Sequence, residues 1–315
     1  ATLIYASYSR GYKAGGYNLD RFELGNTGLS SGTSSPATYF SPRTNADASS
    51  LRFAAEKVNA FELGLKYNQR HWGVNIAAFR EEFKDFQLNT FNGTSFVVQN
   101  IDGCDSALTP GSINAGGQRC AKSDVKAGLI SQGFELELTA SPVRSLRVSG
   151  GLTYAEAKFA KRLVGSNNGQ TPLDSALFLL PGNINSNAPK IVTTASIAWT
   201  PNIGSNGLSG LVYVDTRMTS DYNTGSDLFP EKTQDGYSVV NARIGLRGRE
   251  QKWAIEFWGQ NVFNTKYTQV AFNSPLQGSG SVAAVQGGLA TSATQLFSAY
   301  LAEPRTYGVT LRGKF

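Results

Sequence analysis

The chain has 315 residues with only 17% charged, 34 Gly, 13 Tyr and 18 Phe, and a formal net charge of +6. No stretch approaches the roughly 20 consecutive apolar residues a membrane helix needs, which excludes a helical membrane protein but leaves a β-barrel open, because barrel strands turn only alternate residues to lipid. The basic residues are scattered rather than gathered in a patch with interleaved aromatics, so no nucleic-acid partner is expected, and the charge suits either an anionic partner or a solvated surface.

Strand-like segments recur from end to end, and a strand has a side-chain period of two. Residues 2–10 open the series. Residues 55–68 place Phe61, Leu63, Leu65 and Tyr67 on one face. Residues 72–89 begin with Trp72, Val74, Ile76 and Ala78 in alternation, then lose step at Phe79, Phe83 and Phe86. Residues 127–140 set Phe134, Leu136, Leu138 and Ala140 against Glu135, Glu137 and Thr139. Residues 145–158 set Leu146, Val148, Leu152 and Tyr154 against Arg147, Ser149 and Thr153. Residues 189–200 carry Ile191, Ile197 and Trp199 on one side, and 207–221 carry Leu208, Val212, Val214 and Met218 opposite Tyr213, Asp215 and Arg217. Residues 236–248 place Val240, Ala242, Ile244 and Leu246 opposite Asn241, Arg243 and Arg247, and 252–267 carry Trp253, Ile255 and Phe257. In 302–315, Tyr307, Val309, Leu311 and Phe315 share one face, and Thr306, Thr310, Arg312 and Lys314 the other.

The connections alternate in length. Asn68–His71, Ser141–Arg144 and Arg247–Glu250 are tight turns and Pro201–Asn206 is slightly longer, whereas 13–52, 90–125, 160–188, 222–235 and 269–300 are long polar segments. Loops of that size count against an ordinary compact domain. They are expected of an outer-membrane barrel, with short turns on the periplasmic side and long loops outside. The chain therefore reads as all-β, a transmembrane antiparallel β-barrel with about ten strands. A soluble sandwich would have to explain strands of about 12–16 residues where five or six are usual, and also Trp72, Trp199, Trp253 and Phe315 beside the short turns, where an interfacial girdle lies. The chain starts inside a strand-like run, with no initiator Met and no signal-like region, and is expected to be the C-terminal part of a longer protein.

Cys104 and Cys120 fall in one predicted outer loop. In an oxidising compartment that spacing suits a disulfide, closing about 17 residues and stabilising by roughly 3 kcal/mol. The alternative, a metal site, would draw on Asp102, Asp105 and Asp124, with no His nearby. The only histidine, His71, lies in a predicted short turn, which argues against acid–base catalysis at the outer rim. Asp221 and Asp227, near Tyr222, could mimic an acidic pair, although loop carboxylates are ordinarily solvated.

Asn261-Val262-Phe263-Asn264-Thr265-Lys266-Tyr267 looks like an Asn-Leu-Phe-Asp-x-x-Tyr motif, placed on the penultimate strand. Leu3 to Asn18, the Glu-x-Gly-x-Lys run Glu62–Lys66 preceded by Glu56, Ala77-Ala78-Phe79, Phe83–Gln87, Gly133-Phe134-Glu135-Leu136-Glu137 and Glu303-Pro304-Arg305-Thr306-Tyr307-Gly308 follow in order. Together they resemble the TonB-dependent outer-membrane receptors over the whole chain. The resemblance implies that residues 1–315 are about ten C-terminal strands of a 22-stranded plugged barrel in the bacterial outer membrane, with the plug, the TonB box and the signal peptide outside this chain. It implies import of a scarce ligand, a ferric siderophore before vitamin B12, nickel chelates or oligosaccharides, energised by the TonB complex through the missing plug, with no enzymatic activity and no cofactor. Arg10, Tyr12, Lys13 and Tyr17 at the top of the first strand, and Arg217 and Tyr222 at the top of another, are the expected ligand contacts. Tyr307 and Phe315 are the expected C-terminal signal for the barrel-assembly machinery, and lipopolysaccharide is a further expected partner. The competing readings are a passive porin, or an outer-membrane enzyme on an intact small barrel.

Overall fold

The computed structural model describes residues 1–19, 51–91, 96–110, 118–165, 169, 171–174, 177–274 and 296–314. Ten strands form one antiparallel meander: β1 (Thr2–Lys13), β2 (Glu56–Asn68), β3 (Trp72–Lys84), β4 (Leu129–Val143), β5 (Leu146–Phe159), β6 (Ile191–Trp199), β7 (Leu208–Thr219), β8 (Tyr237–Arg247), β9 (Trp253–Gln260) and β10 (Thr306–Gly313). Each strand pairs with its neighbours in chain order, and a two-residue strand, Asn202–Ile203, adds to β7. Among the described residues β1 and β10 do not pair, so the sheet is an open arc of wall.

Register sorts the side chains onto two faces. Opposite partners share a face, as in Leu63↔Ala78, Ala78↔Phe134 and Phe134↔Tyr154. The face holding Leu63, Ile76, Leu138 and Val309 is apolar yet leaves these side chains 58, 43, 47 and 55% exposed. Water would penalise such a band, whereas lipid does not, and the sheet ladder satisfies the backbone without solvent. The other face carries Glu62, Lys66, Glu135, Glu137, Asp215, Arg217 and Arg243, as a barrel lumen requires. Trp72, Trp199 and Trp253 stand half-exposed beside the short turns, at one level of the wall.

The main buried hydrophobic cluster lies between the long connections and the ends of β4 and β5 rather than along the wall. Leu88, Ile101, Leu129, Phe159, Leu163, Leu177 and Leu180 pack together with Phe83 and Phe86 against them.

Two expected strands are shorter than their patterns suggest. Residues 72–89 divide at Asp85, whose φ of 51° turns the chain out of the wall; Phe86–Phe91 then pairs with Phe96–Cys104 in a second sheet. Phe79 and Phe83 lost step because they belong to the inner face, where Phe83 joins the loop core. Likewise 252–267 stops at Gln260, because Asn261 and Asn264 adopt φ of 47° and 55°. The Asn261–Tyr267 motif is therefore the turn that leaves β9, not part of the strand. Asn261 holds it closed, accepting from the Thr265 N–H (2.8 Å) and donating to the Thr265 and Glu303 carbonyls (2.9 and 3.2 Å). The closing strand is confined to Thr306–Gly313, and Phe315 lies outside the described residues.

Candidate functional site

The long connections form an interlocked layer across one end of the wall. Phe86–Phe91, Phe96–Cys104, Val125–Ala127 and Leu163–Gly165 make a four-stranded sheet of their own. It rests on Phe83, Leu129 and Phe159, which are inner-face residues of β3, β4 and β5, so it leans over the mouth of the arc. A Cys104–Cys120 disulfide with Cα atoms 5.8 Å apart packs against buried Val164. Asn18 clasps Phe96–Cys104, its amide donating to the Val98 carbonyl (2.9 Å) and accepting from the Val98 N–H (2.8 Å). Gln87 donates to the carbonyls of Ala14 and Ala54 at 2.9 Å each. Buried Asp102 accepts from the Asp85 N–H at 2.7 Å; burial pushes its carboxyl up to about 6, and the neighbouring Asp85 carboxylate adds to the effect.

Beside this roof an aromatic and cationic group gathers at the outer ends of β7 and β8. Arg217 points inward near the end of β7, and Tyr237 opens β8 on the same face. The Tyr237 ring stacks on Tyr267 (centroids 4.0 Å, planes 15° apart), and its hydroxyl meets that of Tyr222 at 3.3 Å. Arg217 and Tyr237 are diagonal neighbours on that face, since Thr219 is the direct partner of Tyr237 and Val239 that of Arg217. A cavity of about 690 Å³ adjoins Tyr222, with Asn183, Asn185, Lys190 and Asp221 in its lining, and the buried Asn185 Oδ1 has no hydrogen-bond partner there. Phenols, amides and a guanidinium can grip a planar or anionic ligand. Asp227 is engaged elsewhere. It grips the buried Lys232 ammonium at 2.6 Å, and that ammonium also lies over the Phe229 and Phe297 rings. Burial pulls the Lys232 pKa down, against the pull of Asp227 upward. Asp221 and Asp227 therefore do not form a free acidic pair. Among the described residues no three His, Cys, Asp or Glu side chains gather as a metal-ligand set.

Near the short-turn end, the inner face holds a second charged group. Glu256, wholly buried, accepts from Arg243 (3.1 Å) and Arg247 (3.0 Å), with Arg312 at 3.8 Å. Three guanidiniums against one carboxylate leave this patch of the inner face positive.

An arc of wall with an apolar outer face, a charged inner face and a roof of interlocked loops matches a known design. Residues 1–262 match the family described as TonB dependent receptor-like, beta-barrel. The chain belongs to that family. In fold it resembles the ferric yersiniabactin uptake receptor FyuA of Yersinia pestis, with a TM-score of 0.62 and 16% identity over 100% of this chain and 35% of that one. It also resembles the siderophore receptor PiuA of Acinetobacter baumannii (TM-score 0.54, 17% identity, 98% and 33% covered) and BauA, the ferric preacinetobactin receptor of the same organism (0.52, 15%, 98% and 33%). The chain thus spans about a third of the length of these structures. Its wall belongs in the bacterial outer membrane, with the short turns periplasmic and the interlocked loops outside.

On this TonB-dependent receptor wall the six expected ligand residues are dispersed. Arg217 and Tyr222 both neighbour Tyr237, the first diagonally across β7 and β8 and the second through its hydroxyl. Arg10 and Tyr12 share the face of Ile4, Ala6 and Tyr8, which is the lipid side, whereas Lys13 takes the inner parity. Tyr17 sits in a two-residue strand, Gly16–Tyr17, paired opposite Arg52, and is exposed. Tyr237 and Tyr267 were not singled out from sequence. The signal for Tyr237 was its parity with Arg243, and that for Tyr267 was its place in the Asn261–Tyr267 turn.

Proposed function

We propose that the chain is the C-terminal portion of the barrel wall of a receptor that captures an iron chelate, a ferric siderophore, at its outer loops and imports it with TonB energy. The observation that carries this reading is the meeting of Arg217, Tyr222, Tyr237 and Tyr267 at the roofed mouth, a site suited to an anionic, partly aromatic chelate. Siderophore recognition by FyuA, PiuA and BauA and the net charge of +6 support the choice of ligand class. Lys13 and Tyr17 add contacts from the β1 side, whereas Arg10 and Tyr12 turn to the lipid side and are left out of the site. TonB acts through a plug in the remainder of the receptor, and the positive patch around Glu256 faces that plug. The barrel-assembly machinery reads the last strand, Tyr307 included, and lipopolysaccharide surrounds the wall. The chemistry is binding and passage, not catalysis.

The test is uptake of radio-iron as catecholate, hydroxamate and phenolate chelates by cells whose receptor contains this chain, in TonB-competent and TonB-deficient hosts. Uptake of one chelate class should vanish without TonB, and R217A or Y222A should raise the half-saturating concentration roughly tenfold. TonB-independent passage of ions in planar bilayers would favour the porin reading instead.

A further inference from the structure

Among the described residues Lys232 is the only basic side chain that is buried. Its ammonium meets both carboxylate oxygens of Asp227, at 2.7 and 2.6 Å, and lies 5.5 Å from the centre of the Phe229 ring and 5.4 Å from that of Phe297. Its stem crosses the space in front of Gly225, where a Cβ would overlap the Lys232 Cδ. Asp227 and Phe229 belong to the connection between β7 and β8, whereas Phe297 belongs to the one between β9 and β10. One side chain therefore joins two connections. Phe178, from the connection between β5 and β6, packs edge-on against Phe229 at 6.1 Å and brings in a third.

The backbone around Lys232 leads to the tyrosines of the mouth. The Lys232 carbonyl accepts from the Thr224 N–H (2.9 Å) and from the Thr224 hydroxyl (2.7 Å). These bonds close the short ladder in which Tyr222 pairs with Gln234 and Asn223 with Thr233. Gln234 accepts from the Thr268 N–H at 2.8 Å, one residue beyond Tyr267, and the Thr224 carbonyl accepts from the Ala271 N–H at 3.3 Å. Tyr222 and Tyr267 thus stand at the roots of the two connections that Lys232 joins, and both meet Tyr237.

Burying an ion pair costs hydration that its attraction only partly offsets, so a well-packed apolar pair of similar volume would stabilise these connections as well or better. What the charge adds is direction. An apolar side chain slides against its neighbours, whereas an ammonium between two carboxylate oxygens and two ring faces has one place to sit. We propose that Lys232 is a positioning residue of the mouth site: it fixes the β7–β8 connection against the β9–β10 connection and so holds Tyr222 in register with the stacked Tyr237 and Tyr267. Groups held in place beforehand lose less freedom when a ligand arrives. The use of these tyrosines for a chelate rests on the transport reading above; the fixing of the two connections does not.

The test uses the receptor containing this chain, purified in detergent, with spin labels at Thr233 and Gln269, exposed positions on the two connections. Double electron–electron resonance should give one narrow distance distribution in the otherwise wild-type receptor. D227L/K232M replaces the pair by apolar side chains and leaves no uncompensated charge. It should unfold at the same temperature or higher, yet broaden the distribution. In cells supplied with radio-iron as catecholate, hydroxamate and phenolate chelates, the same variant should raise the half-saturating concentration roughly tenfold at an unchanged maximal rate. D227E, which keeps the ion pair, should preserve both the narrow distribution and the half-saturation. A narrow distribution in D227L/K232M would overturn the proposal, and so would a broadened one with wild-type half-saturation. If the wild type imports none of the chelates, the transport reading fails and the spin-label distances still decide whether Lys232 fixes the two connections.

Discussion

The ring of Tyr5 on β1 occupies the space in front of Gly64 on β2. A Cβ at Gly64 would lie 2.2 Å from the ring. The two residues are direct cross-strand partners, and the Tyr5 hydroxyl donates to Glu62 at 2.5 Å while Lys66 lies over the ring at 5.5 Å. The Glu62-x-Gly64-x-Lys66 run is thus an inner-face cradle for one tyrosine. Glycine supplies the room, the carboxylate fixes the hydroxyl and the ammonium caps the ring.

Gly64→Val should therefore displace Tyr5 and destabilise the β1–β2 pair by roughly 1–3 kcal/mol. Adding Tyr5→Ala should recover part of the loss, because the clash disappears. Heat-induced unfolding of the receptor in detergent, followed by the gel shift between folded and unfolded barrel, measures both. Unchanged stability of the single variant would mean that the ring moves aside at no cost.

Glu256→Gln should weaken the wall at the β8–β9–β10 seam. The neutral amide leaves Arg243, Arg247 and Arg312 without their shared carboxylate, a loss of roughly 2–3 kcal/mol for hydrogen bonds to a charged group. The same unfolding assay reads it, and a larger effect at low salt would mark its electrostatic part.

The alternation in Phe134–Ala140 and in Tyr307–Leu311 was legible in sequence because period two survives wherever one face meets lipid. The ten wall strands and the unequal connections followed from it. The exits of β3 and β9 were not legible, because single positive-φ residues, Asp85 and Asn261, end strands whose apolar pattern runs on. The loop core was hidden as well, since Leu177 and Leu180 sit in a segment whose composition is that of a polar loop. Of the site, Arg217 and Tyr222 could be named from their position at a strand end, whereas the outward side of Arg10 and Tyr12 emerges only once Ala6 is seen opposite Leu63.

The roof should be sensitive to pH through Asp102. Its folded-state pKa is raised to about 6 by burial, above the ordinary carboxylate value, so the folded roof holds a proton that the opened roof releases. The contribution is fully present below the opened-state pKa of about 4 and is lost as pH rises through about 6. Amide exchange of Phe96–Cys104 should accordingly be better protected at about pH 5 than at about pH 7.5, after correction for intrinsic rates. Asp102→Asn should remove that difference; a dependence that persists in the variant would place its origin elsewhere.

Loss of the Cys104–Cys120 bridge should loosen the roof and spare the wall. Cys104→Ser/Cys120→Ser removes about 3 kcal/mol of loop-closure stabilisation. Limited proteolysis should then cut within 105–119, while the gel shift of the barrel stays unchanged. Simultaneous loss of the wall would show that the roof and barrel fold as one unit.

The most direct test of the account is the accessibility of spin labels placed one at a time from Phe134 to Ala140, in the receptor reconstituted into lipid vesicles. Labels at Phe134, Leu136, Leu138 and Ala140 should be relaxed by oxygen dissolved in the bilayer, and labels at Glu135, Glu137 and Thr139 by a water-soluble nickel chelate. Uniform exposure to the nickel chelate, without the alternation, would contradict a lipid-facing barrel wall.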